Sequence, residues 1–121
     1  MRKITKYIDT IKGNIEYRVG QHAQENFDLI DDSGPDDLWF HISQESSCHV
    51  VATIPHNDGV GIKYDKKTLK KIAIQGAVIC KQCSRYKSEK NVSVMYTLIK
   101  HVEKQNHIGS VSVYEYKVLV M

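Results

Sequence analysis

Leu38-Trp39-Phe40-His41-Ile42 alternates between two kinds of side chain. In an extended chain Leu38, Phe40 and Ile42 fall on one face, and Trp39 and His41 on the other. Cys48 to Ile54 alternates too, with Val50, Ala52 and Ile54 on one side and His49, Val51 and Thr53 on the other. Ile15 to Val19, Val92 to Thr97, Val111 to Tyr114 and the series Tyr116, Val118, Val120 repeat the two-residue period. Lys66 to Cys83 breaks it. There Leu69, Ile72, Ala73, Gly76, Cys80 and Cys83 keep the spacing of one helical stripe. Asp65 stands where an N-cap carboxylate takes the first free amides. Gly76 on that stripe costs the helix roughly 1 kcal/mol relative to alanine, and would let it sit close to a sheet. Gln21 to Asp37 is polar, carries the turn signal Ser33-Gly34-Pro35-Asp36, and reads as a loop or a short helix. The pattern predicts an α+β fold: a mainly antiparallel sheet of about five to seven strands with one main α-helix packed on it.

A chain of 121 residues fits one domain, 1–121, with a single core. The three cysteines, Cys48, Cys80 and Cys83, are an odd set with no secretory pattern around them. That predicts free thiols in a reducing compartment and a cytoplasmic protein. Met1 to Lys6 lacks the apolar stretch of a signal peptide. No run approaches the roughly 18 apolar residues of a membrane helix. The net charge of +3 is modest, but its distribution says more. Acids crowd Glu25 to Asp37, bases crowd Lys63 to Lys104, and a second basic group opens the chain from Arg2 to Arg18. Segregation of this kind gives a nearly neutral protein a positive face, suited to nucleic acid.

Pro35-Asp36-Asp37-Leu38-Trp39-Phe40-His41-Ile42, followed by Ser46-Ser47-Cys48-His49-Val50-Val51, resembles the NFACT-R domain, the RNA-binding module of the NFACT proteins of ribosome quality control. Gly20 through Asn26-Phe27-Asp28-Leu29 resembles the family's glycine, then asparagine and acid, before that motif. Ser84, the strand Val92-Ser93-Val94-Met95-Tyr96-Thr97, and Lys100 to Lys104 followed by Gly109 and Val111 agree in order. The resemblance runs from Ile15 to Val113. Its two serines are similar to coiled-coil-tailed eukaryotic relatives, where bacterial members favour Pro-Gly-Ser. It implies a stand-alone, non-catalytic module that binds tRNA, ribosomal RNA or other structured RNA, with the ribosome or another protein as a further partner. It covers the RNA-binding module alone, so peptide tailing is not carried over.

The candidate RNA-binding residues are Trp39, His41, Ser46, Ser47, His49, Arg85, Lys87, Tyr96, Lys100 and Lys104. Trp39 and His41, on the face opposite Leu38, either stack on unpaired bases or form a second core. His49 either contacts RNA with Ser46 and Ser47, or makes a satisfied buried hydrogen bond beside a serine turn. Arg85, Lys87, Lys90, Lys100 and Lys104 either track phosphates through counterion release or are a solvated surface. Cys80-Lys81-Gln82-Cys83 would need two further ligands, such as Cys48 and His49, to hold zinc. On a helical stripe it reads as core, so neither metal nor cofactor is expected. Three rivals remain: an RNA-processing enzyme subunit using His41, His49 and nearby acids; a protein adaptor docking through Glu25 to Asp37; and a DNA binder, since phosphate contacts do not separate the two nucleic acids.

Overall fold

The computed structural model describes residues 1–45, 47–55, 64–108 and 110–121. Ser46, Lys63 and Gly109, named above, lie outside them. Six strands make one antiparallel sheet: β1 (Arg2–Ile8), β2 (Gly13–Gly20), β3 (Leu38–Ile42), β4 (His49–Ala52), β5 (Ser93–Leu98) and β8 (Lys117–Val120), in the order β1-β2-β4-β3-β5-β8. A small antiparallel pair, β6 (Val102–Lys104) and β7 (Val111–Val113), stands apart. The described residues form two α-helices, α1 (Ala23–Asp32) and α2 (Lys66–Gln82). The fold is α+β, as the pattern predicts, and of the two readings of Gln21 to Asp37 it has the short helix, α1. Among the described residues no helix is long and apolar enough to cross a membrane.

The two faces of β3 and β4 sort as their alternation requires. Leu38, Phe40, Ile42, Val50, Ala52 and Ile54 pack under α2, against Ile72, Ala73, Ala77 and Cys80. Asp65 caps α2 by accepting the Thr68 amide at 2.8 Å. Gly76 is where α2 meets the sheet, because a Cβ there would collide with the Phe40 ring. The other face carries a smaller core of Leu29, Trp39, Val51, Ile99 and Val102, closed by α1 and the β6–β7 pair. The result is three layers: α2, the sheet, and α1 with the small pair.

Two polar groups fix α1 and its flanking turn. Asp37 is buried. Its Oδ1 accepts the Ile54 amide and its Oδ2 the Gly34 amide, both at 2.9 Å. Arg18 lies 3.9 Å from Oδ2 and donates to Ser33 Oγ at 2.8 Å. A carboxylate this engaged is an architectural group, which removes it as an acid–base partner for His41.

Candidate nucleic-acid interface

Trp39 and His41 do lie opposite Leu38, Phe40 and Ile42, but that face is covered. Trp39 has no exposed surface. Of its two readings, the structure has the second core, and no base can stack on a ring so enclosed. The indole acts through its neighbours instead. Its Nε1 donates to His49 Nδ1 at 3.2 Å. An indole N–H can only donate, so Nδ1 is the acceptor and Nε2 carries the ring proton. His41 lies parallel to the indole, with centroids 5.5 Å apart and planes 4° apart. It meets His49 edge-on at 5.0 Å.

Burial pushes His49 down to about 3, and the adjacent His41 adds to the effect. Burial also lowers His41. Both rings are therefore neutral at pH 7. The main chain of His49 is held as firmly: its amide donates to Asn26 Oδ1 at 3.3 Å. Gly20 pairs with His49 across β2 and β4, and a Cβ on Gly20 would collide with that same oxygen. Glycine at 20, asparagine at 26 and histidine at 49 thus form one packing unit.

A cleft of about 630 Å³ opens beside these rings. Its walls are the start of α1, His41, the approach to β4, the residues just past α2, and the loop between β6 and β7. His22 is the N-cap of α1 and supplies no side-chain cap, so the helix presents its positive end there. Glu25 in the first turn takes the Gln21 amide at 3.0 Å and the terminal amino group of Met1 at 3.0 Å. Exposed Arg85 brings the cation. Ser47 and Ser84 also line the cleft, but their hydroxyls first serve turns. Ser47 Oγ accepts the Ile42 amide at 3.1 Å and donates to the Cys48 carbonyl at 3.0 Å. Ser84 Oγ donates to the Lys81 carbonyl at 2.7 Å and accepts the Tyr86 amide at 3.1 Å.

Of the candidate residues, His41, Ser47, His49 and Arg85 converge on this cleft. Trp39 sits behind it. Lys87 is exposed two residues beyond Arg85, outside the lining. Tyr96 lines a different cleft, beside the first turns of α2. Lys100 and Lys104 depart from the expected basic strip. Lys104 Nζ pairs with Asp31 at 2.6 Å and Lys100 Nζ with Asp36 at 3.8 Å. The acids and bases that segregate in sequence meet in space, so both lysines and much of the acidic stretch are partly neutralised. Residues absent from the sequence reading are His22, at the unsignalled start of α1, and His107, in the loop before β7. Cys80 is buried and Cys83 half-buried. Cys48 Sγ lies 3.7 Å from the Cys80 carbonyl and Cys80 Sγ 4.0 Å from the Cys48 carbonyl. All three thiols are free. Among the described residues no three His, Cys, Asp or Glu side chains are grouped to hold a metal ion.

This arrangement can offer an anion the positive end of a helix, a guanidinium and a neutral imidazole N–H. Among curated proteins none matches the chain. Among solved structures, the chain is similar to the C-terminal part of the fibronectin/fibrinogen-binding protein from Streptococcus suis. The TM-score is 0.70 and the identity 19%, covering 88% of this chain and 40% of that one. At that identity the likeness shows the fold alone, and this chain spans less than half of that relative. The family model described as NFACT protein RNA binding domain matches residues 6–115. With a match over nearly its whole length, the chain belongs to the NFACT RNA-binding domain family.

Proposed function

We propose that the domain binds RNA non-catalytically, through phosphate and ribose groups seated in the histidine cleft, and that its ligand is tRNA or ribosomal RNA. The observation that carries this is the convergence of Arg85, the start of α1 and the His41–His49 pair on one concavity. Arg85 and the start of α1 offer positive potential to an anion and the half-buried His41 an imidazole edge, while His49, itself buried, holds His41 from behind. The same geometry argues against acid–base chemistry. His49 has its Nδ1 occupied by Trp39 and a pKa of about 3, far from the near-neutral value a general base needs. A cytoplasmic setting suits three unpaired thiols.

The adaptor reading needs an accessible acidic surface, yet Asp37 is buried and Asp31 and Asp36 are paired with lysines. Salt titration of RNA binding tests the proposal. Affinity should fall linearly in log–log form as salt rises. Arg85→Gln should weaken binding several-fold and reduce the slope by about 1, as expected for one lost phosphate contact. An unchanged slope and affinity in Arg85→Gln would take the phosphate out of this cleft.

A further inference from the structure

A second cleft, of about 580 Å³, lies between the first turns of α2 and the β5–β8 end of the sheet. Its floor is apolar, from Leu38, Leu69 and Leu98. Two tyrosines border it. Tyr96 is half-buried and held by its ring stack on Phe40, with centroids 5.9 Å apart. Tyr116 is 53% exposed. Three lysines also line it: Lys66 and Lys70 from α2, and Lys117 from β8. Among the described residues none of the three makes an ion pair, whereas Lys71, Lys100 and Lys104 all do. The lone carboxylate at the rim, Glu115, faces His101 Nε2 at 3.9 Å, and His101 Nδ1 meets Thr97 Oγ1 at 3.1 Å.

We propose that this cleft holds an unstacked nucleotide of a single-stranded RNA segment, its base against the Tyr116 ring and its phosphates among Lys66, Lys70 and Lys117. An aromatic face beside a cluster of mobile cations is what sequence-tolerant single-strand binding requires. An apolar peptide would have no use for three cations, and an acidic peptide none for the open aromatic face. The volume lies within the range of small-ligand sites. The inference rests on the RNA-binding reading but concerns a different place. The histidine cleft follows the C-terminal end of α2 and this one flanks its start, about 25 Å away along a helix of 17 residues.

The test uses the whole chain and a single-stranded oligoribonucleotide carrying 2-aminopurine. The wild type and Tyr116→Phe should bind it and quench its fluorescence. Tyr116→Ala should lose the quench and bind about tenfold more weakly, the scale of one lost base stack. Lys66→Gln, Lys70→Gln and Lys117→Gln combined should flatten the salt dependence without touching the melting temperature. Unaltered quenching and affinity in Tyr116→Ala, alongside a weakened Arg85→Gln, would overturn the second cleft and leave the histidine cleft standing. An oligonucleotide that the wild type ignores at low salt would overturn both.

Discussion

Trp39→Ala should cost the domain roughly 3–5 kcal/mol of stability, a large share of the 5–15 kcal/mol typical of a folded domain. The ring is fully buried and anchors the smaller core beneath α1 and the β6–β7 pair. Removing it opens a cavity that four aliphatic neighbours cannot fill. It also leaves His49 Nδ1 without its donor, so the imidazole loses both its support and its fixed tautomer. Urea unfolding and RNA affinity measured on the same sample should fall together. Trp39→Phe separates the two losses. It keeps most of the packing and removes only the N–H, so stability should drop less while the His49 tautomers mix, as nitrogen shifts of the ring would report. A folded Trp39→Ala protein of near wild-type stability would contradict the burial on which the account of the site is built.

Acid should destabilise the protein well above the range where carboxylates titrate. His49 is held at about 3 when folded, against 6.5 when free. The folded pKa is the depressed one, so the unfolded chain takes the proton first. The stability is present in full above about pH 6.5 and is lost as pH falls towards 3. One such group changes stability by up to about 1.4 kcal/mol per pH unit, so roughly 2.5–3 kcal/mol should be gone near pH 4.5. His41, which faces His49 and is also lowered by burial, acts in the same direction. In His49→Gln the amide oxygen can still accept from Trp39. That variant should start lower at neutral pH and lose less on acidification, its slope shallower by close to one proton. Equal slopes in the two proteins would show that His49 is not the group responsible.

The two-residue period is enough to place Trp39 and His41 opposite Phe40, because side-chain direction in a strand follows from backbone geometry alone. It cannot say what covers each face. The cover over Trp39 comes from α1, whose few large apolar residues, Phe27, Leu29 and Ile30, stand among acids and amides that read first as a polar segment, and from the three-residue strands β6 and β7. β1 escapes the pattern for a related reason. It is an edge strand whose lysines and arginine read first as charge. The roles of Lys100 and Lys104 were hidden because charge patterning gives the sign of a group and not its partner, and Asp31 lies 73 residues from Lys104. The sequence does carry the packing unit of Gly20, Asn26 and His49, as a spacing shared with a family. Only the structure explains it, as a backbone that must come close to an asparagine that positions a histidine.

RNA seated in the histidine cleft should perturb the residues that line it, and nitrogen-15 chemical-shift mapping with a short single-stranded oligoribonucleotide reads this residue by residue. The largest changes should fall on the amides of Ser47 and His49, on Ser84 and Arg85, on His22 and Ala23, and on the His49 ring. Changes absent from these residues and confined to the second cleft at Lys70, Tyr116 and Lys117, to the exposed β1 edge, or to the acidic turn from Asp31 to Asp36, would contradict it.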